Sequence, residues 1–195
     1  RHAGVTVHCL PSQHWSKRSL TDDRKALWSA WAVTGEQGRF FFAGDTGYHD
    51  GFREIGRRLG PFDLAALPIG AYEPRAMMQA SHMNPEEAVQ AALDLGAKKA
   101  VAMHFGTFDL SDEPLDEPPR RFLEAAGQTW LGTDSAWVLN IGETRWFATD
   151  GLMMAYQSRT LGKNSERSQV KKELSASTMR STASKKRSSP SGSAK

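Results

Sequence analysis

The chain has 195 residues, 39% of them hydrophobic, enough for one ordinary domain with a core of its own. No apolar run approaches the ~20 residues that a membrane-spanning helix requires, and no secretory leader pattern opens the chain. The net charge of +3 is uneven: ten Lys or Arg against two acids from Gln157 to Lys195 make that tail +8 and leave residues 1–156 at −5, so the basic balance gives the folded part no reason to bind nucleic acid.

Taken in order, Val5-Thr6-Val7-His8-Cys9-Leu10 alternates and is β-branched, which predicts a strand broken by Pro11 and Ser12 just before His14. Cys9 has no partner for an internal disulfide and is expected as a small buried strand residue. Ser19 to Lys25 reads as a polar loop, and Trp28 to Val33 as a second strand. Gly35-Glu36-Gln37-Gly38 then forms a four-residue hairpin connection into Phe40-Phe41-Phe42-Ala43, an antiparallel neighbour. This third strand stops at Gly44-Asp45-Thr46-Gly47, where the glycines permit a turn that leaves one carboxylate at the strand's end.

Phe52, Ile55, Gly56 and Leu59 recur at helical spacing, so Asp50 to Leu59 is an amphipathic helix, stopped by Gly60-Pro61. Asp63 to Pro68 is a short buried strand and Ile69 to Ala80 a loop. Asn84-Pro85-Glu86-Glu87 supplies an N-cap, a first-turn proline and first-turn acids for a helix running to about Leu95. Lys98 to Met103 is a strand ending at His104, Pro114 to Pro119 a loop, Arg120 to Ala126 a short helix, and Ala136 to Ile141 a last strand. Strands alternating with helices predict an α/β layered fold. The Ser/Lys/Arg-rich residues 146–195 are expected to be a mostly disordered tail, with no aromatic residue after Tyr156 to suggest a binding role.

Three of these strands end in ligand-type chemistry: Pro11-Ser12-Gln13-His14-Trp15, Gly44-Asp45-Thr46-Gly47, and His104-Phe105-Gly106. Two imidazoles and a carboxylate able to bridge cations are the donor types of a hydrolytic metal centre, if loops on a rigid sheet bring them together. Spacing alone leaves a second reading open, three unrelated polar residues at strand ends.

These blocks, with Gly60-Pro61-Phe62-Asp63-Leu64-Ala65, Pro68-Ile69-Gly70-Ala71-Tyr72-Glu73-Pro74-Arg75, Pro85-Glu86-Glu87-Ala88 and His104-Phe105-Gly106-Thr107-Phe108, resemble the C-terminal half of metallo-β-lactamase-fold hydrolases. Within that superfamily they are most similar to the N-acylphosphatidylethanolamine-hydrolysing phospholipase D family, over about Val5 to Arg145. The resemblance implies an αββα sandwich and a site for two Zn2+ ions. His14 would be a ligand of one ion, Asp45 the bridging carboxylate and catalytic in that sense, and His104 a ligand of the other. The implied reaction is hydrolysis of an N-acyl phospholipid to an N-acylethanolamine and phosphatidic acid. Other phosphodiesters or phosphorylated metabolites, on the same fold, are the alternative within enzymes.

Family members also carry a His-x-His-x-Asp-His loop, which residues 1–195 lack. Together with the opening Arg1, this makes residues 1–145 a partial domain by expectation, inactive and weakly zinc-binding alone; a truncated, non-catalytic relative is the third reading. His82, just before the Asn84 helix start, is expected to contact substrate phosphate or protonate a leaving group, helped by the electropositive helix end. Gln13 and Trp15 either line the substrate pocket or pack their loop. Tyr72, with Glu73 and Arg75, either shapes the pocket mouth or forms a salt-bridged loop. Trp28, Trp31 and Phe40 to Phe42 either meet acyl chains or fill the core, Thr46 and Tyr48 are candidate hydrogen-bond donors to Asp45, and His2, His8 and His49 are expected away from any metal. The resemblance implies a phospholipid substrate, peripheral membrane contact, no nucleic-acid partner, and a location cytoplasmic or peripheral to a membrane.

Overall fold

A computed structural model describes residues 4–149. Its centre is a six-stranded sheet in the order β1 (Val5–Pro11), β2 (Ser29–Gly35), β3 (Gly38–Phe42), β4 (Leu64–Pro68), β5 (Ala100–Met103) and β6 (Ala136–Trp137). The first three strands are antiparallel neighbours, and β3 to β6 are parallel. Because β2 opposes both of its neighbours, β1 runs the same way as β3, β4 and β5. Their C-terminal ends therefore meet at one edge, the place where open sheets of this kind expose their chemistry.

The register explains which face is covered. Ala32, Phe41, Ala65, Ala100 and Ala136 form one row across five strands, and all five are buried. Small residues in that row let α1 (Gly51–Leu59), α3 (Pro85–Asp94) and α4 (Glu117–Gly127) approach closely, and Phe52, Ile55, Ala88, Ala92, Phe122 and Ala126 from those helices join the same core. The neighbouring row begins Trp31, Phe42 and faces the other way. Its two aromatics stay 41% and 40% exposed, as does Phe40 beside them at 37%. The aromatic run thus divides by the period of two: Phe41 is core, Phe40 and Phe42 are outer-face residues.

Several expected boundaries move. The β2–β3 hairpin has a two-residue loop, since Gly35 and Gly38 pair with each other. Within the expected loop 69–80 lies α2 (Arg75–Met78), a single turn. Helix α4 begins at Glu117, because Pro118 and Pro119 occupy its first turn, where a missing N–H has no partner to lose. The last strand is only Ala136–Trp137, for pairing with β5 ends at Val101. Cys9 is exposed on edge strand β1 and not buried. Of the expected tail, Phe147 lies against the Trp137 ring and the Thr149 hydroxyl bonds the Gln37 carbonyl, so the folded unit continues to residue 149. The rest of the expected tail, and His2, lie outside the described residues. Among the described residues no helix is long and apolar enough to cross a membrane.

Candidate metal centre

Asp45 follows β3 by three residues, His14 follows β1 by three, and His104 follows β5 directly, so the common strand direction brings all three to one edge. His82 arrives from the other side, on the loop before α3. His14 Nε2 lies 3.1 Å and His104 Nε2 3.3 Å from Asp45 Oδ2, while His82 Nδ1 lies 3.0 Å from Oδ1. The His14 and His82 rings meet edge to face at 5.2 Å, and those of His82 and His104 are 5.7 Å apart. Three imidazoles thus surround one carboxylate.

The loops that deliver them are tied down locally. The Thr46 hydroxyl accepts from Gln13 N–H at 2.9 Å, and Gly47 N–H returns a bond to the Gln13 carbonyl at 2.9 Å, lacing the His14 loop to the Asp45 loop. His82 sits beside an α3 terminus closed by a capping box, in which Asn84 accepts from Glu87 N–H and the Glu87 side chain accepts from Asn84 N–H. Arg75 spans this corner, donating to the His82 carbonyl at 3.2 Å and to Glu87 at 2.6 Å. His104 itself has φ of +58, an unfavourable conformation for a residue with a Cβ and one that recurs where structure is held for function.

The electrostatics are those of a cation site. His14 Nδ1 lies 2.7 Å from the Trp15 carbonyl and donates to it, which leaves Nε2 facing Asp45. His14 Nε2, His82 Nδ1 and Asp45 Oδ1 are buried and lack any correctly directed hydrogen-bond partner; the short separations do not amount to hydrogen bonds at those atoms. Donor atoms of His14, Asp45 and His82 all lie within 4.8 Å of one another, a span a single ion can bridge. Burial pushes the Asp45 pKa up, but His104 and His82 outweigh it and hold the carboxyl well below the usual carboxylate range. Asp45 in turn pushes the His104 pKa up against desolvation, with the backbone carbonyls of His104 and Gly70 adding to the effect. Orphaned nitrogens and an oxygen converging on one point fit a divalent metal ion of the kind held by imidazole and carboxylate.

Gln13 and Trp15 both line a cleft of about 740 Å³ with His14, Trp28 and Ser81. Trp28 and Trp15 stack on the His14 ring at 4.8 and 5.5 Å, screening it from water. A second pocket, about 240 Å³, is bounded by His104 with Phe105, Phe108, Leu110 and Leu115. For Tyr72 the structure favours the loop reading over the pocket mouth. It is fully buried, donates to Glu117 at 2.7 Å and lies under the Arg121 guanidinium, so it packs the loop and does not reach either opening. Thr46 and Tyr48 depart from expectation: their hydroxyls donate to the Gly47 carbonyl and to Asp94, not to Asp45. His8 bonds Thr34, and His49 accepts from Gly51 N–H at the start of α1. The tightest geometric set pairs His82, not His104, with His14 and Asp45, and its spacing in sequence carries no sign of that. The stacking of Trp28 on His14 was equally invisible, since nothing in a one-dimensional pattern joins positions 28 and 14.

Residues 1–105 match the family described as the beta-lactamase superfamily domain. N-acyl-phosphatidylethanolamine-hydrolyzing phospholipase D 1 of Caenorhabditis elegans is 49% identical over 117 residues, covering 60% of this chain and 33% of that protein. The mitochondrial protein of the same description from Saccharomyces cerevisiae is 38% identical over 145 residues, 72% of this chain and 31% of that one. The chain therefore spans about a third of the length of these curated relatives. Among solved structures, Igni18, a metallo hydrolase from Ignicoccus hospitalis, superposes with a TM-score of 0.60 at 24% identity, covering 76% of this chain and 55% of its own, a likeness of fold.

Proposed function

The chain belongs to the beta-lactamase superfamily, and on that premise we propose that it carries one side of the metal centre of a phosphodiester hydrolase acting on N-acyl phospholipids. One observation carries the reading: three imidazole nitrogens stand within 3.3 Å of the Asp45 carboxylate, with the nearest atoms unpartnered and buried. The substrate class is supported by the relatives in worm and yeast named for hydrolysing N-acyl-phosphatidylethanolamine.

His14, Asp45 and His104 would hold zinc, with His82 either a further donor or the group that meets the phosphoryl oxygens. A bound divalent cation would supply Lewis acidity at a phosphoryl oxygen and lower the pKa of water. The protein's own contribution is positional. His104 and His82 hold the Asp45 carboxyl well below the usual carboxylate range, so its charge is available to compensate a cation near neutral pH. Trp15 and Trp28 keep His14 from turning, and the clefts bounded by His14 and His104 offer apolar walls to the substrate's chains on a peripheral approach to a membrane. Four side chains cannot complete two zinc coordination shells. We therefore propose that residues 1–149 form part of a two-metal domain whose remaining donors come from elsewhere.

The test is release of N-acylethanolamine from N-acyl-phosphatidylethanolamine vesicles by protein carrying this sequence with a complete ligand set, measured beside bis(p-nitrophenyl) phosphate. The reading expects zinc-dependent release that Asp45→Ala abolishes. Cleavage of the generic diester alone would transfer the assignment to another phosphodiester, and release unaffected by Asp45→Ala would end it.

A further inference from the structure

The His82 ring stands 3.0 Å from Asp45 Oδ1, yet its buried Nδ1 has no correctly directed hydrogen-bond partner. Nothing at that atom holds the ring, so its position is set by the backbone that carries it. That backbone runs between the single turn of α2 and the start of α3, where no regular ladder fixes the peptides. Individual bonds do so instead. His82 N–H donates to the Met78 carbonyl at 2.9 Å, closing the turn after α2. The next peptide, which joins His82 to Met83, is tied at both of its polar ends: Met83 N–H donates to the Thr46 carbonyl at 3.2 Å, on the Asp45 loop, and the His82 carbonyl accepts from Arg75 Nη1 at 3.2 Å.

Arg75 does more at this corner than the helix start requires. The capping box of α3 is complete without it, because Glu87 Oε2 accepts from Asn84 N–H and the Asn84 side chain accepts from Glu87 N–H. Arg75 takes the other carboxylate oxygen: Nη2 donates to Glu87 Oε1 at 2.6 Å while Nη1 reaches the His82 carbonyl. A guanidinium presents its donors as a rigid planar fork, so grasping one acceptor fixes where the second donor points. Anchored on the ordered first turn of α3, the fork sets the place of the His82 carbonyl. The base of the same side chain is held too, since Arg75 N–H donates to Glu73 at 2.9 Å. The Arg75 and Glu87 side chains are 26% and 31% exposed, which limits the screening that weakens surface ion pairs. Loss of the Arg75 bond leaves the Met83 N–H bond to hold that peptide, and the loop is free to turn the imidazole away from Asp45.

We propose that Arg75 is a positioning residue for the metal centre: its guanidinium ties the His82 carbonyl to the capped start of α3 through Glu87, and so holds the His82 imidazole against Asp45 and edge to face with His14. Partners that orient a site residue matter nearly as much as the residue itself, and here the orienting bond goes to the main chain of His82 and not to its ring. This rests on the reading of His82 as a site residue, but not on substrate or reaction.

The experiment reads the His82 ring in the metal-free 195-residue chain, through nuclear Overhauser contacts between His82 and His14 ring protons, and the Met83 amide through hydrogen exchange. Wild type is expected to show the ring contacts, since the two centroids are 5.2 Å apart. Arg75→Met should lose them and speed Met83 exchange about tenfold or more. Arg75→Lys, with one point donor in place of the fork, should restore only part of both. Adding Glu87→Gln to Arg75→Met removes the carboxylate left unpaired while keeping an oxygen for Asn84 N–H. A merely structural ion pair predicts that Arg75→Met lowers the melting temperature, that the added Glu87→Gln returns it, and that the ring contacts stay as in wild type throughout. Positioning predicts that the contacts stay lost in the double variant, because the His82 carbonyl is still without its donor. Should Arg75→Met fail to fold, the double variant carries the same test, and after it Arg75→Lys. Ring contacts at wild-type strength in the first of the three that folds overturn the proposal. Because neither readout uses metal or substrate, both stand even if the phospholipid reading fails.

Discussion

An imidazole nitrogen and a carboxylate oxygen 3.1 Å apart need a cation or a proton between them, and this is the situation of His14 and Asp45. Protonation of one imidazole would relieve one contact; a divalent ion relieves several at once, which is why the orphaned atoms point to metal. Replacing His14 by Ala should therefore lower zinc affinity by more than the roughly 10–100-fold usual for outer-shell partners, while melting changes little; calorimetric titration checks the first and a thermal scan the second. Tyr48 makes a separate prediction from its phenol, which burial first, and then the hydrogen bond and charge of Asp94, push up to about 12. A raised phenol pKa means the folded state holds the proton more tightly. That stability is present below the ordinary value near ~10, and is lost as pH rises toward 12. Tyr48→Phe should remove one late ionisation from the alkaline absorbance titration and flatten the fall in stability across that window.

Among the elements, α3 does the most to place the site, because its capped start fixes the chain just after His82. Asn84→Ala should cost about 1 kcal/mol of stability in denaturant unfolding. Helix α1 docks against the C-terminus of α3 through Gly56, where an added Cβ would meet the Asp94 carbonyl oxygen at 2.1 Å. Gly56→Ala must push the two helices apart, and we expect a loss of roughly 1–3 kcal/mol by the same measurement in spite of alanine's better helix propensity. These two features show what was legible at this scale. The cap box and the apolar spacing around Gly56 stand openly in the sequence because they are local. The start of α4 is not legible in this way, since Pro118 and Pro119 have the look of loop residues although they occupy a first helical turn. The bonds from Ala71 N–H and Glu73 N–H to the Glu113 carboxylate join positions some forty apart, and no local pattern records them.

At the scale of the molecule, the succession of strands and helices followed from alternation, and the meeting of His14, Asp45 and His104 at one edge from blocks of family-like sequence, whereas the order of strands in the sheet needed coordinates. The addition of His82 to the set needed coordinates. So did the two faces of the sheet, because three consecutive phenylalanines conceal their own alternation. One face holds the helices; the other presents Val7, Trp31, Phe40 and Phe42 with substantial exposure among the described residues. Exposed apolar surface of this kind marks a face that another element or molecule covers. The 195-residue chain should accordingly bind a hydrophobic dye and self-associate in sedimentation, and Phe40→Thr with Phe42→Thr should reduce both without changing zinc affinity.

The convergence of imidazoles on Asp45 is tested most directly by zinc K-edge X-ray absorption of the loaded chain. The account predicts nitrogen and oxygen neighbours at about 2.0–2.1 Å with the outer-shell scattering of imidazole rings, and a loss of part of that scattering in His14→Ala. A spectrum without imidazole scattering, or one that His14→Ala leaves unchanged, would contradict it.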